Sequence, residues 1–257
     1  MADLNRRTIG QAGVQTQAGI DEGLRAYMLK VYNYMAIGLA LTGVAALLFA
    51  NLATTGDAGS AAAQLPNGKM LTDFGVTLFT SPLRWVVILA PLGLVFFLSF
   101  RVQTMSVSAA QITFWVYAAL VGVSLSSIFV IYTAESITQV FFVTSAAFLG
   151  LSLYGYTTKK DLSGWGSFLM MGLIGIIIAA IVNLFLQSGA LQFAISVIGV
   201  LVFAGLTAYD TQQIKEMYNV NDDGTIAGRK AIMGALRLYL DFINLFIMLL
   251  QLFGNRE

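Results

Sequence analysis

The chain contains no cysteine and no histidine. The first absence excludes disulfides, thiolate catalysis and thiolate metal sites. The second excludes imidazole ligands and the usual side-chain switch near neutral pH. An ion bound here must be held by oxygen, which favours hard cations such as calcium or magnesium, and any response to pH must come from perturbed carboxylates. Charge is also scarce. Only 11% of residues are charged, against about 25% in soluble domains, and the net charge of +1 supplies no field that points to nucleic acid.

In their place stands apolar surface: 58% of the chain is hydrophobic. Seven apolar runs, near 28–50, 85–103, 109–132, 138–157, 166–186, 190–212 and 232–253, approach or exceed the roughly 20 residues that a bilayer-spanning helix needs. They leave no room for a soluble domain. Helices satisfy their own backbone groups inside lipid, and the strict alternation of a barrel is missing. The expected fold is therefore an all-α membrane protein, a bundle of seven transmembrane helices. Residues 1–24 are polar and read as a disordered cytoplasmic tail, with 25–257 as the membrane domain. The first apolar run is long for a signal-peptide core, cleavage after Ala50 or Ala53 being the other option.

Basic residues set the orientation. With the N-terminus inside, Arg6, Arg7, Arg25, Lys30, Arg101, Lys159, Lys160, Lys215, Arg229, Lys230 and Arg237 are cytoplasmic, and only Lys69, Arg84 and Arg256 are outside. Seven spans then put the C-terminus outside. The longest connection, Asn51 to Arg84, becomes an outer loop whose second half, MLTDFGVTLFT, suits a short interfacial helix. Pro91 removes a backbone donor inside the second span and makes it either a mover or a static bend. The recurring Gly and Ser of the middle spans read as packing faces, and Asn183 as an interhelical hydrogen-bonding group.

Two acids interrupt the last two runs: Asp210 in LTAYDTQQIK and Asp241 in LYLDFINLF. A carboxylate at membrane depth costs roughly 2.5–3.5 kcal/mol on insertion scales, so such groups are paired, protonated or lining water. A turn at Asn221-Asp222-Asp223-Gly224 joins the two spans, and residues equidistant from it lie at equal depth in an antiparallel hairpin. Asp210 and Asp241 meet that condition, roughly 6–8 Å inside the basic residues Lys215 and Arg237. Helical spacing places Asp241 on a face with Asn244 and Arg237, and Asp210 with Thr207 and Gln213. Two carboxylates about 4 Å apart repel by roughly 4 kcal/mol at an effective dielectric of 20. Such a pair shares one proton and titrates as a unit, which lets a chain without histidine sense pH between about 6 and 8. The plainer alternative is that the acids anchor a structural hydrogen-bond network. Arg101, ending the second span at the same level, either reaches a carboxylate or snorkels to headgroups.

The motifs LTAYDTQQIK and LYLDFINLFIMLLQLFG, with KKDLSGWGSFL before the fifth span, strongly resemble the signature of the Bax inhibitor-1 family, in particular its bacterial YccA-like and YetJ-like branch. The resemblance covers about 25–254. It implies a bundle with the seventh span at the centre, surrounded by the other six, in the bacterial inner membrane. It also implies a pH-sensitive calcium leak, with Asp210 and Asp241 as the paired aspartates and Arg101 as a latch onto Asp210. The same two aspartates would be the groups that meet calcium, a permeant ion rather than a cofactor.

The resulting expectation is a gate at the cytoplasmic end that opens in acid, when protonation ends the attraction of Asp210 for Arg101. Repulsion alone would give the opposite sign. Glu135, Asp57 and Asp73 are available to concentrate cations outside, or are solvated surface. Three rivals accompany this reading. One is a regulator of a membrane-bound AAA protease, which some bacterial members resemble; it would need no transport. Another is a proton-coupled transporter. The third is an intramembrane aspartyl protease, disfavoured because Asp241 follows Leu-Tyr-Leu and not the GxG of that class. The lipid bilayer is the one certain partner, and the sequence does not fix an oligomeric state.

Overall fold

The computed structural model describes residues 22–256. The expected polar tail therefore lies outside the described residues up to position 21; Glu22, Gly23 and Leu24 already belong to the first helix. Among the described residues, seven helices are long and apolar enough to cross a membrane. They are α1 (described over Glu22–Ala53), α3 (Leu83–Arg101), α4 (Val107–Leu125) continued by the short α5 (Ile128–Ile131), α6 (Ala134–Thr157), α7 (Ser163–Leu186), α8 (Gly189–Glu216) and α9 (Gly224–Phe253). The chain is an integral membrane protein of the all-α class.

Local chemistry sets the helix ends. The side chains of Ser106, Thr133, Ser188 and Asp223 accept from the first free backbone N–H groups of α4, α6, α8 and α9, satisfying donors that a helix start leaves open. Between α4 and α5 the hydroxyls of Ser126 and Ser127 donate to the Val123 and Ser124 carbonyls, back-bonding that interrupts the helix there. Gln187, in the left-handed region at φ 49°, ends α7. Only Gln187 and Ser188 separate α7 from α8, so these two are tight antiparallel neighbours. In α3 the helix runs through the buried Pro91.

The connection from 54 to 82 holds more order than hydropathy suggests. Its second half forms the short helix α2 (Asp73–Thr80). Ahead of it lie three two-residue strands, β1 (Thr54–Thr55), β2 (Ala63–Gln64) and β3 (Met70–Leu71), in the antiparallel order β1-β3-β2. Two-residue strands have no room for an alternating pattern, so the sequence carried no sign of them.

The core is built around α9. It is the most buried of the seven spans and packs on α8, α1, α6 and α4. The other spans pack at different depths around it: α7 packs mainly on α8, and α3 mainly on α4 and α2. At the centre Tyr239, fully buried, bonds Thr42 of α1 at 2.6 Å and meets Phe114 and Tyr117 of α4 edge-on. Thr42 also donates to the Ala118 carbonyl at 2.8 Å, joining α1, α4 and α9 at one point. Gly155 of α6 allows a second close approach, because a Cβ there would collide with the Ala208 carbonyl of α8.

Candidate functional site

The α8–α9 hairpin sets the site. These two helices make the most extensive pairing in the bundle, and the ion pair of Lys230 with Asp222 (2.6 Å), with Lys230 also donating to the Met217 carbonyl, fastens their turn. Asp210 on α8 and Asp241 on α9 are neighbours across the seam, close enough for their carboxyl groups to interact. Asp241 is only 4% exposed, and its Oδ2 has no hydrogen-bond partner among the described residues. An ionised carboxylate can only accept, so a bond between the two acids requires one proton on the pair.

The cation beside the pair is Arg237, and not the one expected from the second span. Arg237 lies one helical turn before Asp241, and its charge reaches both carboxyl groups without forming a direct ion pair among the described residues. Its side chain is exposed although the rest of α9 from 227 to 252 is buried or half-buried. Arg101 is also exposed, at the end of a helix that packs against α4 and α2. Among the described residues it forms no ion pair with Asp210, whose neighbouring cation is Arg237. The physical reason is placement: α3 packs mainly against α4 and α2. What ties the second span to the centre is Arg229, whose Nε and Nη1 donate to the Met105 and Gln103 carbonyls at 2.7 Å each.

The other polar residues expected on the inward stripes are engaged elsewhere. Thr207 is fully buried and donates to the Phe203 carbonyl. Asn244 donates to the Leu240 carbonyl of its own helix. Gln213 points to the start of α7, donating to Ser163 and Glu216. Its neighbour Gln212, not singled out by the sequence, is buried; it accepts from the Leu162 N–H and donates to the Lys160 carbonyl, so it clamps the α6–α7 connection. Thr211, next to Asp210, continues into a hydroxyl chain through Ser152 (3.0 Å) to Tyr32 (2.6 Å). The three outer acids have local roles: Asp57 caps a short 3-10 turn, Asp73 opens α2, and Glu135 accepts from Gln139.

Among the described residues no group of three acidic, histidine or cysteine side chains could enclose a metal ion. Calcium takes 6–8 oxygen ligands in a resident site, more than two carboxyl groups supply.

The family model described as inhibitor of apoptosis-promoting Bax1 matches residues 24–257. An uncharacterised protein of Rickettsia prowazekii is 47% identical over 92% of this chain and 92% of its own. The inner membrane protein YbhL of Escherichia coli is 47% identical over 91% and 94%, and a membrane protein of Streptococcus pyogenes 35% over 92% and 96%. A seven-span bundle built around α9, a family model matched from Leu24 onward and likeness across almost the whole of these relatives lead to one conclusion: the chain belongs to the Bax inhibitor-1 family.

Proposed function

We propose that this protein is a pH-sensitive calcium leak of the bacterial inner membrane, with the N-terminus cytoplasmic and the C-terminus outside. The observation that carries the reading is the pairing of Asp210 with Asp241 toward the turn end of the α8–α9 seam. An acid inside an apolar bundle costs roughly 2.5–3.5 kcal/mol, and an amide would supply the same hydrogen bonds more cheaply. Two acids in that position add something amides lack, a charge that changes with pH.

In the closed state the pair holds one proton. Its remaining negative charge is attracted to Arg237, which belongs to α9 and so pulls Asp210 of α8 across the seam. Acid protonates the second group, the attraction ends, and the two helices separate at this end. Calcium then moves down its gradient along α9, meeting the carboxyl oxygens in transit. Arg237 thus takes the part first expected of Arg101.

Calcium flux into liposomes, followed from about pH 6 to about pH 8, tests this. Wild type leaks more in acid. Asp210→Asn, which carries no charge at any pH, leaks at the acid level throughout. A mutant profile that tracks wild type would end the gating proposal.

A further inference from the structure

At the end of the α8–α9 seam opposite the acids, amide and hydroxyl side chains from three consecutive spans meet. Asn183 of α7 donates through Nδ2 to Gln192 Oε1 of α8 (3.0 Å); Gln192 Nε2 donates to Gln251 Oε1 of α9 (2.8 Å); and Ser196 Oγ of α8 donates to that same oxygen (2.8 Å). Ser196 is 1% exposed, while Gln192 and Gln251 are half-buried. Gln251 stands ten residues beyond Asp241, about 15 Å along the helix.

The register of α9 connects the two ends. Lys230, Arg237, Asn244 and Gln251 recur every seventh residue, a spacing that keeps them on one slowly drifting stripe. Asp241, four residues after Arg237, falls on the same stripe. The stripe meets α8 and its turn at three levels: Lys230 at the Met217 carbonyl, Asp241 at Asp210, and Gln251 at Gln192 and Ser196. From Lys230 to Gln251 it runs about 32 Å, close to the roughly 30 Å of bilayer hydrocarbon. A helix needs no polar stripe to pack in lipid. The two-residue turn already fastens α7 to α8, so the Gln192–Gln251 bond adds nothing there. What it closes is the α8–α9 seam.

We propose that Gln192, Ser196 and Gln251 form a second gate, at the far end of the seam, whose uncharged oxygens receive a partly dehydrated cation when the amide bond parts. Side-chain carbonyl oxygens are suitable ligands for hard cations. The proposal rests on reading the α8–α9 seam as the ion path, and its test is chosen to separate the two.

Because the molecule has no cysteine of its own, Asn244→Cys introduces a single thiol. A charged, membrane-impermeant thiol reagent is applied to each face of the membrane in turn, with and without Gln251→Leu. With the amide bond intact, the introduced thiol is protected from the Gln251 side. Loss of the two interhelical bonds to Gln251 speeds labelling from that side roughly tenfold, and calcium flux at about pH 6, where the first gate is open, rises by a similar factor. Gln192→Leu removes the amide bond from the other helix and gives the same result if Gln251→Leu does not fold. Faster labelling without calcium flux in any variant supports the gate and overturns the leak. Unchanged labelling in a folded variant overturns the gate, whatever the flux.

Discussion

Asp241 keeps its buried Oδ2 without a hydrogen-bond partner among the described residues, with the Asp210 carboxyl as its neighbour. Asparagine can replace either acid in a mutual hydrogen bond; leucine cannot. Asp241→Leu should therefore destabilise the bundle by about 1–3 kcal/mol, the cost of a stranded buried polar group, whereas Asp241→Asn should unfold in detergent close to wild type. Arg237→Gln should raise calcium flux near pH 8, because the attraction across the seam is gone, and Arg101→Gln should leave the flux profile where it is. Asp161, outside the spans, serves as a control. The Ser163 N–H, at 2.8 Å, and then its hydroxyl hold the exposed Asp161 carboxyl below the usual carboxylate range. A carboxyl held low stays ionised through the usual carboxylate range and is protonated only as pH falls below it, so Asp161→Asn should not alter flux between about pH 6 and 8. At this scale the sequence disclosed the two acids, because charge stands out in an apolar run. It disclosed Arg237 only as a neighbour one turn away. It could not reveal that Gln212, and not Gln213, turns inward, since adjacent residues on a helix differ by 100° and only packing tells which is buried.

The helices themselves were legible because a span must be long and apolar to satisfy its backbone in lipid. Hydropathy finds a span without ranking its place in the bundle, so nothing in α3 announced that it would stand beside α4 and α2. The link from the α3–α4 connection to α9 runs through carbonyls, which every residue possesses, so no motif marks it. Arg229 makes that link with two bonds of 2.7 Å. Arg229→Ala should cost about 1–2 kcal/mol and speed amide exchange across 102–106, read by hydrogen–deuterium mass spectrometry, with the remaining spans unaffected.

For the molecule as a whole, the closeness of two residues far apart in sequence followed from hairpin symmetry about a turn, which is why Asp210 and Asp241 could be paired before any fold was known. The central position of α9 came from family resemblance, since its apolar run differs little from the others. Tyr239 stands midway along α9, bonded to Thr42 and wedged against Phe114 and Tyr117. A rod held at its midpoint can tilt but cannot slide. Tilt moves its two ends in opposite directions, so a displacement beside Arg237 is answered by a contrary one beside Gln251. The pivot rests on a hydroxyl, and phenylalanine at position 239 would keep the wedge while freeing the axle.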